Sequence, residues 1–266
     1  MELQDLQYTK DGHIAIITLD REQSRNAYSY EMIDSLEMAF NAAQDDDDVR
    51  CVILTGAGRA FSAGGDLKQM KSHTGMFEGD AVRLRTKYVR GIHRVPHLLL
   101  KFDKPIVAAL NGAAIGAGLD LACMCDIRIS NERAKYGSTF VKIGLVPGDG
   151  GAFFLSRVVG MPRAVELILT GRVIDAQKAL EIGLVHEVVP QETLLERAKE
   201  VALEIAANAP IAVRLAKTAC YQAYEVTAEQ ALSMAATYQG IAQNTADHDE
   251  GVNALLEKRA PVFKNK

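Results

Sequence analysis

Asn111-Gly112-Ala113-Ala114-Ile115-Gly116-Ala117-Gly118-Leu119-Asp120-Leu121 is the stretch around which the chain is organised. The apolar run 105–110 leads into it as a buried strand, and residues 119–125 lead out of it with a helical period. Between the two stand only small residues, so the backbone amides there are sterically bare. A helix starting near Gly116 leaves its first N–H groups without intrahelical acceptors, and its dipole adds positive potential. Such a place can hold an anion or a developing oxyanion.

A second small-residue stretch, Ser62-Ala63-Gly64-Gly65, has the same setting, between a strand at 49–55 and a short helix after Asp66. Two backbone N–H donors converging from the two stretches on one carbonyl would stabilise an enolate or a tetrahedral oxyanion. Two tight strand-to-helix turns with no ligand fit the same spacing.

The rest of the sequence narrows the choice mainly by exclusion. The chain has 266 residues, enough for one large domain or one domain with an appendage, and a formal charge of -4, which gives no footprint for nucleic acid or an anionic membrane. No apolar run is long enough to span a bilayer, and Met1-Glu-Leu-Gln-Asp-Leu6 shows neither a signal-peptide nor an Arg-rich transit pattern. The four cysteines (Cys51, Cys123, Cys125, Cys220) lack CxxC spacing and read as small buried hydrophobes of a reducing compartment. A cytoplasmic protein is expected. No GxGxxG, P-loop or GxSxG is present. Of the six histidines only His93 and His97 are spaced like ligands on a helix, and Pro96 between them disturbs that helix, so no metal is expected.

Strands are expected at 13–19, 49–55, 105–110, 126–130, 136–140 and 185–189. A helix follows Ser29 as N-cap, with Met32, Ile33, Leu36, Met38, Ala39 and Phe40 on its apolar face. Residues 71–79 read as a mobile polar loop, and 81–100 as a helix kinked or split at Pro96. Gly-rich 142–151 precedes a helix at 152–159, with further helices at 164–170 and 176–182. Beyond Pro190 the pattern is wholly helical, at 193–208, 212–224, 228–244 and 250–257. These patterns predict an α/β core over 1–190 and a helical oligomerisation region over 191–266.

Taken together, several motifs resemble the crotonase family, also called the enoyl-CoA hydratase/isomerase family. They are Arg25-Asn26-Ala27, Phe61-Ser-Ala-Gly-Gly-Asp-Leu67, Asn111-Gly112, Gly116-Ala-Gly118, Cys125-Asp126-Ile127, Gly144-Leu-Val-Pro-Gly148, Thr170-Gly171 and Glu257-Lys-Arg-Ala-Pro-Val-Phe263. The resemblance runs over nearly the whole length. It implies an α/β crotonase-like ββα spiral core with a C-terminal all-helical trimerisation region, assembled as a homotrimer or a homohexamer built as a dimer of trimers. It also implies an acyl-CoA thioester as substrate, with coenzyme A part of that substrate and no separate cofactor.

By position, the resemblance puts the oxyanion-hole donors on the Gly65 and Ala117 amides. It puts the CoA contacts on Arg25, Ala27, Ala63, Asp66 and Leu67, and on Phe263 and Lys264, which in the family often reach a neighbouring subunit's CoA. The two glutamates with which the family's hydratases position water fall on Asp120 and Phe140. Phe140 cannot transfer a proton, and Asp120 is one methylene shorter than glutamate. Asp149 is a further acid, one residue beyond Gly148, where some family members place a catalytic aspartate. Asp120 also reads as a helix N-terminal acid and Asp149 as an N-cap before Ala152. A single carboxylate beside an oxyanion hole suits moving a proton between α and γ carbons, whereas water addition in the usual manner wants two. Double-bond isomerisation is therefore expected slightly ahead of hydration. Thioester hydrolysis, C–C cleavage, decarboxylation and a non-catalytic binding module remain as further readings, and the 71–79 loop and the 81–100 helix are expected to shape the acyl pocket.

Overall fold

The computed structural model describes residues 2–266. Its strands are β1 Leu6–Asp11, β2 Ile14–Leu19, β3 Cys51–Gly56, β4 Ala60–Ser62, β5 Ile106–Leu110, β6 Ala113–Ile115, β7 Ile127–Asn131, β8 Lys135–Gly137, β9 Ile174–Asp175 and β10 Glu187–Val189. The helices are α1 Tyr30–Asp45, α2 Leu67–Ser72, α3 Ala81–Lys87, α4 Arg94–Lys101, α5 Ala117–Cys123, α6 Gly151–Val159, α7 Met161–Thr170, α8 Ala176–Glu181, α9 Leu194–Ala206, α10 Pro210–Ala223, α11 Ala228–Gln243 and α12 Ala246–Glu257. A six-stranded sheet runs β1-β2-β3-β5-β7-β10 and a four-stranded one β4-β6-β8-β9. Only the β1/β2 and β8/β9 pairs are antiparallel.

The chain winds as a spiral. β3, β5 and β7 each lie in the large sheet, and each is followed within a few residues by a short strand of the small sheet, β4, β6 or β8. After β4 and β6 the chain turns into α2 and α5. This is the expected ββα repeat. Strands β3 and β5 are apolar on both faces because both faces are covered. Val52, Leu54, Ile106, Ala108 and Leu110 join the core shared with α1. Cys51, Ile53, Val107 and Ala109 pack instead against Leu194, Ala198 and Ala202 of α9, a stripe with a four-residue repeat. Thus α9, the first helix past residue 190, forms one layer of the core of the strand-bearing region.

Parallel pairing of β4 with β6 sets Ala60 beside Ala113 and Ser62 beside Ala114, so the turns that follow the two strands come side by side. There, a Cβ on Gly64 would stand 2.5 Å from the Ile115 carbonyl oxygen and 2.8 Å from the Ala117 nitrogen. A Cβ on Gly118 would run onto the Ser62 carbonyl, 2.7 Å from its carbon. Backbone meets backbone here, which only glycine allows.

Several expectations change. Strands β4, β6 and β9 are too short to show a period, and β1 is an edge strand with one buried residue, so none of them was anticipated. Strand β8 stops at Gly137, and Phe140 opens a 3-10 turn, Phe140–Ile143, instead of extending the strand. The break in 81–100 falls at a π-helical turn, Tyr88–Ile92, and not at Pro96. Pro96 lies in the first turn of α4, where a missing N–H costs no helical bond. The 71–79 segment is anchored, since Met76 and Phe77 are buried. Met38 faces solvent, and Cys220 is exposed, unlike the other three cysteines. Helix α12 begins at Ala246, one turn early, because Thr245 Oγ1 accepts from the His248 amide at 3.1 Å.

Gly118→Ala should lower stability by about 1–3 kcal/mol, the usual cost of overpacking, and thermal unfolding should show the drop. An unchanged midpoint would contradict the close approach of the two turns.

Candidate active site

The two turns open onto one cavity lined by Tyr28, Gly65, Met70, Met76, Phe77, Tyr88, Ile92, Ala117, Phe140, Leu145 and Asp149. Gly116, with φ 56°, is the N-cap of α5, and its own amide donates to the Gly137 carbonyl at 2.8 Å. The next amide, Ala117, and the Gly65 amide have no backbone acceptor among the described residues, and both residues line the cavity. Two free donors facing one space are suited to a carbonyl oxygen that gains negative charge. The Met70 methyl group sits directly over Gly65, and Phe140 covers Gly116 with ring atoms 3.6 Å from where a Cβ would stand.

Asp149 is the one acid among the lining residues. It does not cap α6: that N-cap is Gly150, with no side-chain cap bond. The Asp149 loop is pinned by His93, whose Nε2 donates to the Gly148 carbonyl at 2.7 Å, and by Tyr88, which packs beneath Gly148. Asp120 is fully buried and absent from the lining; its carboxyl lies directly on Gly151, behind Asp149. No partner other than the neighbouring carboxyl reaches either Asp120 oxygen or Asp149 Oδ2: the protonated Asp120 donates to Asp149.

These surroundings govern protonation. Burial, then the negative field of Asp149, holds the Asp120 carboxyl well above the usual carboxylate range. Burial raises Asp149 too, and the adjacent Asp120 carboxyl and the His93 ring pull it part of the way back. The nearby thiols are poor nucleophiles, since burial pushes Cys123 and Cys125 up to about 12. Among the described residues no cluster of three or more His, Cys, Asp or Glu could hold a metal ion.

A sequence profile described as Enoyl-CoA hydratase/isomerase matches residues 9–266. The chain belongs to the enoyl-CoA hydratase/isomerase family. It is 37% identical to a short-chain-enoyl-CoA hydratase of Clostridium acetobutylicum, over the full length of both chains. It is also 37% identical to the 1,2-epoxyphenylacetyl-CoA isomerase of Escherichia coli K12, across 95% of each. The crystal structure of an enoyl-CoA hydratase from Bacillus anthracis superposes with a TM-score of 0.93 at 37% identity, covering 99% of this chain and all of that one. The fold is therefore the crotonase fold, and the chain is an acyl-CoA enzyme of the hydratase/isomerase class. Among the described residues no helix is long and apolar enough to cross a membrane.

The sequence-predicted binding residues fall in two places. Arg25, Ala27, Ala63, Asp66 and Leu67 come together beside the cavity: the Ala63 amide donates to the Arg25 carbonyl at 2.9 Å, and Arg21 reaches both the Ala27 carbonyl and Asp66 at 3.2 Å. Arg25 and Leu67 are exposed along that strip. The Asp66 side chain is occupied, because it caps α2 by accepting from the Lys68 and Gln69 amides. Burial alone would raise its carboxyl, but those two amides and Arg21 outweigh it and leave the group below its ordinary range. Phe263 and Lys264 lie elsewhere within the chain. Phe263 lines a separate groove with Ala209, Ala242 and Val252. The Phe263 carbonyl accepts from Arg50 at 2.8 Å, and the Lys264 amide donates to Asp247 at 2.6 Å.

The segments expected to shape the acyl pocket, 71–79 and 81–100, supply Met76, Phe77, Tyr88 and Ile92 to the cavity wall, whereas Tyr28, Met70 and Leu145 were not foreseen. For Tyr28 the one signal was its adjacency to Asn26-Ala27.

A carboxyl whose folded pKa exceeds its unfolded value binds extra protons in the folded state between the two pKa values. Stability therefore falls as the pH rises through that window, from about 4 upward. Asp120→Asn mimics the protonated acid, so its unfolding midpoint should fall less steeply than that of the wild type between about pH 5 and about pH 8. Parallel slopes in thermal scans would mean that Asp120 is not held protonated.

Proposed function

We propose that this enzyme isomerises the double bond of an enoyl-CoA, with Asp149 as the base and the Gly65 and Ala117 amides as the oxyanion hole. The observation that carries this reading is the presence of a single acid, Asp149, in the wall that also holds both amides. With the thioester oxygen between the amides, the carboxylate removes a proton from the α carbon. The electron pair delocalises into a dienolate, and the same carboxyl returns the proton at the γ carbon. The double bond moves from the β,γ to the α,β position, and Asp149 ends unprotonated. An apolar, buried setting makes its carboxylate a stronger base than one in water. Asp120, neutral behind it, keeps a second negative charge out of the site.

Hydration is the second reading, favoured by the name of the Clostridium relative, a short-chain-enoyl-CoA hydratase. In that reaction Asp149 would take a proton from water as oxygen adds to the β carbon and would then give that proton to the α carbon of the enolate. Asp120 is too occluded to share the task, and Phe140 has no group with which to do so. The strip of Arg25, Ala63 and Leu67 beside the cavity would meet the CoA moiety. A homo-oligomer accounts for large exposed apolar side chains on the last two helices, Leu232, Leu255 and Leu256.

Absorbance assays with a 3-enoyl-CoA and a trans-2-enoyl-CoA separate the two readings. Conversion of the former to its conjugated isomer is expected to dominate, and Asp149→Asn should slow it by about 10²–10⁴, the usual weight of a general base. Rapid formation of 3-hydroxyacyl-CoA with little isomerisation would establish hydration instead. In light scattering the chain should elute as a multiple of its 28.9 kDa mass.

A further inference from the structure

Tyr28 follows the Arg25-Asn26-Ala27 strip and is fixed against the oxyanion-hole turn. Its amide donates to the Gly64 carbonyl at 2.8 Å, one residue before Gly65, and Ser62 Oγ donates to the Asn26 carbonyl at 2.7 Å. The side chain is 2% exposed and lines the cavity with Gly65, Ala117 and Asp149. Its hydroxyl has no hydrogen-bond partner, and Asp149 Oδ2 has none beyond the adjoining Asp120 carboxyl. Besides burial, the charges that bear on that hydroxyl are Asp149 first and Asp120 next.

Buried polar atoms of native proteins are almost always paired, so an orphaned hydroxyl in one cavity with a carboxylate that has acceptor capacity to spare points to a missing partner. The rest of the wall is apolar: Met70, Met76, Phe77, Ile92, Phe140 and Leu145. The cavity volume is 30 Å³, room for one water-sized group. A phenol donates and a carboxylate only accepts. The group that satisfies both must accept from Tyr28 and donate to Asp149, which an O–H group does and a hydrocarbon does not.

We propose that Tyr28 Oη and Asp149 Oδ2 form a two-point site for one O–H group in the acyl cavity: a hydroxyl carried by the acyl chain, or a water in the same place. The oxygen accepts from the Tyr28 hydroxyl, and its own hydrogen is donated to Asp149. This rests on the acyl-CoA reading of the site and adds a feature that the two amides do not supply, a polar anchor for the acyl part. Tyr28 then binds and positions the oxygen and transfers no proton.

Isothermal titration of the full chain with butyryl-CoA and with 3-hydroxybutyryl-CoA tests this, in wild type and in Tyr28→Phe. The hydroxylated thioester should bind the wild type roughly two- to tenfold more tightly, the worth of one hydrogen bond, and the preference should vanish in the variant. The ratio is read within each protein, so a general loss of affinity on substitution cancels. If the wild type shows no preference but Tyr28→Phe lowers the ratio of hydration to isomerisation, water is the occupant and the site stands. If both ratios are the same in the two proteins, the proposal is overturned. If neither thioester binds the wild type, the acyl-CoA reading itself fails and this inference fails with it.

Discussion

The contact between two turns underlies the site. Gly64 lies against the Ile115 carbonyl and the Ala117 amide, and Gly118 lies against the Ser62 carbonyl. The approach is set by the parallel register of β4 and β6, which brings the ends of two short strands level before each chain turns into a helix. Any side chain at these glycines would push the turns apart. Because the turns touch, Gly65 and Ala117, whose amides have no backbone acceptor, line the same cavity. The large sheet, packed on both faces, holds the strands that feed these turns and leaves them little freedom to move.

Around this frame the acids are arranged unevenly. Asp149 reaches the cavity from the loop before α6, while Asp120, on the first turn of α5, is turned into the protein against Gly151. Two carboxyls close together and without a cationic partner cannot both ionise cheaply, so Asp120 is held neutral and the negative charge falls to Asp149. Unpaired polar atoms in a dry interior cost stability, and such costs are found where chemistry or binding requires them. Tyr28, Asp149 and Asp120 together form such a cluster, and it lies beside the two amides.

Parts of the site were legible in the sequence because they rest on local chemistry. Small residues between a strand and a helix mark bare amides wherever they occur, so the two turns could be located, and the resemblance then put the donors on Gly65 and Ala117. The motif Arg25-Asn26-Ala27 and the segment 63–67 also proved to be neighbours, as the resemblance implies. Other parts rest on long-range placement. Whether Asp120 or Asp149 reaches the cavity depends on which way α5 and the 148–150 loop present their side chains, and both acids read alike in one dimension. Tyr28 precedes a well-capped helix and looks like a core residue; only the fold sets its hydroxyl beside the acids. Residues 71–79 are polar on average, yet two of them, Met76 and Phe77, supply cavity wall.

The sequence by itself determined the alternation of strands and helices, the helical tail and the two amide-bearing turns. Each is written in a local period or in glycines that tolerate no side chain. Tertiary structure alone decided which carboxyl faces the substrate cavity, what surrounds it and how strongly burial raises it. Those properties come from side chains brought together across more than a hundred residues, where desolvation and the field of a neighbouring charge act through space rather than along the chain.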